Sequence, residues 1–227
     1  FTSNGISLSE RMAQALIDAN VHNMNISINA ATAETHQRIM QVTSFDVVCA
    51  NIKRLTQMVK EQGSGLRVRL SSAISIINIE ELPDLVRLTK ELGGDQVNTM
   101  YCRFYPQEIR HQTPLFKVED KLDDEHSLFY HQELSDSMVK EAACVAREIG
   151  ILLTHDPLFE EHAGLRPCTS AKNELMVGWD GEIYPCGGAE LHMKKKVEAG
   201  NYHFGNALRE PIEAFWNNEN YCKLGIS

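Results

Sequence analysis

The chain has 227 residues, 43% of them hydrophobic and 23% charged, and a net charge of −9. That is room for one large domain, or one large and one small, of an ordinary globular protein. The charge argues against a nucleic-acid partner, which needs Lys and Arg in excess to displace counterions, and no apolar run approaches the roughly 18 residues of a membrane span.

Thr2 to Gly5 reads as the tail of a strand entering a loop. A helix follows, with Ser7 and Glu10 at capping-box spacing and Leu8, Met12, Ala15, Leu16 and Ala19 recurring every three or four residues. From Val21 to Asn29 the period changes to two, with Met24, Ile26 and Ile28 on one face and Asn25, Ser27 and Asn29 on the other. The next helix is predicted from about Asp46 to Gln62, stopped by Gly63. Leu66 to Ala73 is again a strand, with Arg67, Arg69 and Ser71 opposite Val68, Leu70 and Ser72. Leu82 to Leu92 is a helix with Pro83 in its first turn, and Gln96 to Tyr101 a strand.

Residues from about 103 to 134 show no period and carry Pro106 and Pro114, a long irregular connection of the kind that forms lids or binding loops. Ser137 to Ile149 returns to helix, closed by Gly150, and Ile151 to Thr154 is a short strand. Cys49 and Cys144 lie on helical apolar patterns and are expected in the core.

Repeated β-α units imply parallel strands with right-handed crossovers. Polar faces toward the strand ends suggest a barrel whose mouth holds a polar ligand, with a doubly wound open sheet as the structural competitor. The strands are too few to close an eightfold barrel. A boundary near Glu161 to Pro167 separates this region from a cysteine-bearing tail.

In that tail Cys168 is followed by twelve residues, Gly181, four residues and Cys186, then Phe204-Gly205-Asn206 and Phe215-Trp216-Asn217. Met176 to Cys186 reads as strand, two-residue Asp180-Gly181 turn, strand. The hairpin directs Cys186, and Cys168 arrives from the loop before it. Six irregularly spaced cysteines and no visible signal peptide point to reducing cytoplasm, where paired thiolates read as metal ligands rather than a disulfide.

This spacing resembles the opening of the SPASM domain, the auxiliary iron–sulfur module of many radical SAM enzymes. Thr2-Ser3-Asn4-Gly5 resembles that family's third strand, and Asn25 to Asn29 followed by Thr32 to His36 its fourth. Ile77 to Leu82 resembles its turn after strand five, where Asn and an acidic residue open a helix. The resemblance implies an α/β fold: the C-terminal part of a partial (β/α) barrel with parallel strands, over residues 1–160. A truncated, cysteine-bearing β-hairpin/helix module follows over 161–227.

It also implies cofactors and an activity. A catalytic [4Fe-4S] cluster cleaves S-adenosylmethionine to a 5′-deoxyadenosyl radical, which abstracts hydrogen from a substrate such as a peptide or protein. An auxiliary [4Fe-4S] cluster is held in part by Cys168 and Cys186. Ser3, Asn4, Ser27 and Asn29 are placed near the cofactor's ribose and amino-acid part, although Asn29 stands where the family usually has Asp. By the residues alone, Asn4 and Asn29 also suit turns and Ser27 a satisfied barrel position. Arg69 is a candidate for neutralising a carboxylate of cofactor or substrate, or for a structural salt bridge.

The family's Cys-x3-Cys-x2-Cys is absent from these residues, so the catalytic ligands are expected upstream of Phe1 and further SPASM cysteines beyond Ser227. The alternative is a structural zinc module on a barrel without radical chemistry, using Cys168, Cys186, His192 and His203 or Cys222.

Overall fold

The computed structural model describes residues 2–102, 117–118, 121–122, 127–161, 175–184 and 204–215. Two units form, Phe1–Phe104 with Glu108–Ala163 and Tyr105–Gln107 with Gly164–Ser227. The irregular stretch 103–116, His111, Cys168, Cys186, His192, His203, Trp216 and Cys222 lie outside the described residues.

The first unit begins with β1 (Thr2–Ser3), α1 (Glu10–Asp18), β2 (Asn23–Ser27), α2 (Ala33–Met40) and α3 (Phe45–Glu61). It continues with β3 (Arg67–Ile74), α4 (Leu82–Glu91) and β4 (Gln96–Tyr101). A small antiparallel pair, β5 (Lys117–Val118) and β6 (Lys121–Leu122), precedes α5 (Gln132–Ile149) and β7 (Leu152–Thr154). The sheet order is β1-β2-β3-β4-β7, every neighbouring pair parallel. A doubly wound sheet reverses its order at a switch point. This one never reverses, so it is the wall of a partial barrel.

The two-residue period decides which side is covered. Met24, Ile26, Val68, Leu70, Ile74 and Val97 are buried in one core with Val48, Ile52 and Leu55 of α3, Leu85 and Val86 of α4, and Val139 and Ala142 of α5. The polar alternates Asn23, Asn25, Ser27, Arg69, Ser71, Gln96 and Asn98 stay half-buried on the opposite face, and Arg67 at the start of β3 is exposed.

Four local expectations are corrected. The cap of α1 is Ser9, whose hydroxyl accepts from the Met12 amide at 3.3 Å, rather than Ser7. Its inward stripe is therefore Ala13, Leu16 and Ile17, with Met12 49% exposed. Helix α5 starts at Gln132, five positions before Ser137, on a short 3-10 turn at Leu128–Tyr130. Cys144 is exposed on α5, while Cys49 is half-buried against the core.

The fourth correction lies in the second unit, where β8 (Met176–Val177) pairs antiparallel with β9 (Ile183–Tyr184), Val177 opposite Ile183. The connection is longer than two residues. The Gly181 amide closes a turn on the Gly178 carbonyl at 2.9 Å, and Gly178 N donates to the Glu182 carbonyl at 2.8 Å. Gly181 has φ +84°, as expected of the glycine that follows such a turn as a bulge. Residues 204–207 run alongside: Ile183 N donates to the Gly205 carbonyl and Ala207 N to that of Gly181. Ile183, Phe204 and Phe215 form the core of this unit.

Candidate functional site

The polar face of the sheet is organised in rows by register. Thr2 stands opposite Asn25, Asn25 opposite Arg69, Arg69 opposite Gln96 and Gln96 opposite Leu152. Ser27, Ser71, Asn98 and Thr154 form a second row. Partners in register point to the same face, and two residues along a strand carry the second row roughly 6.5 Å closer to the strand ends. That is the end at which barrels of this kind place ligands.

Sequence reasoning singled out Ser27 and Arg69, and register brings them onto this face in successive rows. It passed over Asn25, Ser71 and Asn98, although their period-2 alternation was visible; pairing alone shows that they are neighbours. On the β4 side the polar groups satisfy one another, with Gln96 Nε2 donating to Asn98 Oδ1 at 2.6 Å and to Thr154 Oγ1 at 2.7 Å. On the β2–β3 side they do not. Arg69 Nε and Asn25 Oδ1 are buried without a hydrogen-bond partner, and Ser27 and Ser71 hydroxyls have none among the described residues.

Asn29 sits just past β2 with φ +60°, the left-handed region that Asn tolerates better than most residues. Its Oδ1 accepts from Ala73 N at 2.9 Å and its Nδ2 lies 3.2 Å from Met40 Sδ. Asn78, buried after β3, donates to the Asn29 and Ala73 carbonyls at 2.8 and 3.0 Å and accepts from Ser75 N at 2.8 Å. Glu81 extends the tie, accepting from the amides of Ala31 and Thr32 and the hydroxyls of Thr32 and Thr35. The loops after β2 and β3 are thus one hydrogen-bonded rim. Beneath it, buried His36 meets the Ile28 carbonyl through Nδ1 at 2.8 Å and Ser44 Oγ through Nε2 at 3.3 Å.

Ser3 and Asn4 shape the turn after β1. Ser3 is opposite Ile26, in the row of the core-facing residues, and its hydroxyl accepts from Gly5 N at 3.2 Å. Asn4 Oδ1 accepts from Ile6 N at 3.1 Å. Asn51 Nδ2 pins the same turn through the Gly5 and Ile6 carbonyls at 2.9 and 3.0 Å.

At the end of β4, burial pushes the Tyr101 phenol and the Cys102 thiol up, the latter to about 11. Burial, with help from Asp46 and Glu91, likewise pushes Cys49 up to about 11. None of these thiols is a ready nucleophile. Among the described residues no group of three or more His, Cys, Asp or Glu is placed to hold a metal, and no helix is long and apolar enough to cross a membrane. In the second unit, Asn206 Nδ2 donates to the Asp180 carbonyl at 3.1 Å and to Glu182 Oε1 at 2.8 Å, fixing the hairpin whose second strand ends two residues before Cys186.

Three comparisons bear on this arrangement. Residues 168–226 match the SPASM family, described as an iron-sulfur cluster-binding domain. Streptococcus suis SuiB is similar in structure at 14% identity and a TM-score of 0.66, over 98% of this chain and 50% of SuiB. SuiB bound to precursor peptide SuiA gives 13% identity and 0.64, over 98% and 48%. Native anSMEcpe with bound AdoMet and Cp18Cys peptide gives 14% and 0.61, over 100% of this chain and 60% of anSMEcpe. This chain therefore spans about half the length of SuiB. No curated protein matches the sequence. The chain combines the fold shared by SuiB and anSMEcpe with a C-terminal segment that matches the SPASM iron–sulfur cluster-binding domain, the architecture that its resemblance to radical SAM enzymes with a SPASM domain implies.

Proposed function

We propose that this chain is part of a radical SAM enzyme that modifies a peptide or protein. Residues 1–160 form the cofactor-binding wall and 161–227 the auxiliary iron–sulfur module. The observation that carries this reading is the SPASM match over residues 168–226, which spans both Cys168 and Cys186. The peptide substrate is supported by SuiB bound to SuiA and by anSMEcpe with its Cp18Cys peptide.

The donor set suits the groups. Thiolates are soft anionic ligands matched to iron, and the Ser27 and Ser71 hydroxyls on the half-buried sheet face, without a partner among the described residues, suit a polar cofactor. When bound, the [4Fe-4S] cluster and S-adenosylmethionine supply a 5′-deoxyadenosyl radical that takes hydrogen from the substrate. The ligands of that cluster are not in this chain, which has no Cys-x3-Cys-x2-Cys.

What this chain contributes is position. Ser27 and Ser71 offer free hydroxyls to the ribose or amino-acid part of the cofactor. Asn29, held by Ala73 N, and the Ser3–Asn4 turn set the backbone beside them. Arg69 offers positive charge one row below, and Cys168 and Cys186 would hold the auxiliary cluster. A reducing, cytoplasmic setting suits such clusters.

Anaerobic purification of the whole protein tests the reading through iron, sulfide and zinc content, the visible spectrum and S-adenosylmethionine binding by calorimetry. Iron and sulfide with a brown charge-transfer band, and a measurable affinity, are expected. A colourless protein holding zinc alone overturns it.

A further inference from the structure

The polar face carries a charge imbalance. Its rows hold Arg69 and, at the N-terminal end of β3, Arg67, opposite Asn23, yet no Asp or Glu stands in register with them on β1, β2, β4 or β7. The chain as a whole has a net charge of −9, so the absence of acid from this face is a local departure. Arg69 has no ion pair and no hydrogen bond among the described residues, and its Nε is buried. Directly opposite it in register, Asn25 leaves Oδ1 buried and unpartnered. Two adjacent orphans in a protein that satisfies Gln96, Asn98 and Thr154 one strand away call for a missing group.

We infer that Arg69 and Asn25 form a subsite for a carboxylate of the substrate, one row deeper in the sheet than Ser27 and Ser71. The inference rests on the cofactor reading above, which gives the outer row to S-adenosylmethionine. A carboxylate neutralises Arg69 and accepts from its Nε–H. A half-turn of the Asn25 carboxamide about its last bond exchanges Oδ1 for Nδ2 and supplies a second donor without moving any other atom. A neutral amide would satisfy both orphans without that turn. It would leave the guanidinium charge unbalanced, and charge-assisted hydrogen bonds are about twice as strong as neutral ones. The rows are separated by roughly 6.5 Å along the strands, enough to distinguish a substrate group from the cofactor's own carboxylate in the outer row.

The test uses the whole protein with its clusters reconstituted and S-adenosylmethionine present. Binding of acetyl-Gly-Glu-Gly-amide is compared with that of acetyl-Gly-Gln-Gly-amide for the wild type, Arg69→Gln and Arg69→Lys. The wild type should prefer the Glu peptide by about tenfold. Arg69→Gln should abolish the preference and Arg69→Lys retain part of it, with S-adenosylmethionine affinity unchanged within about twofold. Equal binding of the two peptides, no binding of either, or preference for Gln overturns the inference. So does a parallel loss of S-adenosylmethionine affinity in Arg69→Gln, which would assign Arg69 to the cofactor. If the wild type binds no S-adenosylmethionine at all, the cofactor reading itself fails, and this subsite falls with it.

Discussion

Asn78 Nδ2 donates to the backbone carbonyl of Asn29 across 2.8 Å, joining the loop after β3 to the loop after β2. Neither residue lies in a strand, yet each is fixed by several bonds, so the rim of the polar face is set before any ligand arrives. Preorganisation of this kind lowers the ordering cost of binding.

Asn78→Ala removes three donor contacts and one acceptor from a site that is 4% exposed. Because the carbonyls of Asn29 and Ala73 lose a partner, the expected loss is roughly 2–4 kcal/mol. Urea denaturation monitored by circular dichroism measures it. A midpoint equal to that of the wild type would mean that the tie contributes nothing.

Asn29 allows two contributions to be separated. Asn29→Gly keeps the left-handed φ of +60° without strain and loses only the side-chain contacts, to Ala73 N and Met40 Sδ. Asn29→Ala loses the same contacts and adds backbone strain, and should be less stable than the glycine variant by about 1 kcal/mol. The reverse order would show that backbone strain is not stored there.

Glu81→Gln keeps the shape of the carboxylate and removes its charge from a cluster of two amides and two hydroxyls. Hydrogen exchange at Ala31 and Thr32 should quicken on this substitution, with a stability loss of about 1–2 kcal/mol. Unchanged protection of those amides would contradict the latch.

The thiols differ in reactivity. Burial holds Cys49 and Cys102 near 11, while Cys144 is exposed. Two pKa units above the ordinary value cut the thiolate fraction at pH 8 roughly a hundredfold. Mass spectrometry of iodoacetamide-treated protein should find Cys144 modified well before the other two. The same shifts make stability fall with rising pH between 9 and 11, because the unfolded chain releases these protons first.

Gly205 has φ +123°, and a Cβ there would collide with the ring of Phe215. Gly205→Ala must expel Phe215 from the small core it shares with Ile183 and Phe204. The variant protein should lose the iron belonging to the auxiliary module while S-adenosylmethionine binding by the rest persists. Full iron content would show that this core does not support the cluster.

Element types were legible along most of the first unit because burial there follows the period: Met24, Ile26 and Ile28 inward, Asn25 and Ser27 outward. Boundaries were less so. Ser7 and Ser9 both precede acidic or helix-favouring residues, and only the backbone at Ser9 turns its hydroxyl onto Met12 N. The Asp180-Gly181 pair marked the turn correctly, but its length followed from the pairing of Val177 with Ile183.

Composition and periodicity determined the alternating strands and helices, and the resemblance of the cysteine-bearing tail to the SPASM domain implied an iron–sulfur module, since both rest on local stretches of the chain. Which polar residues share a surface was decided by register, a relation between strands about forty residues apart in sequence. Only the paired sheet places Asn25 against Arg69 and ties Asn29 to Asn78. The reason is physical: side-chain periodicity states which way a residue faces, whereas hydrogen-bonded pairing states what it faces beside.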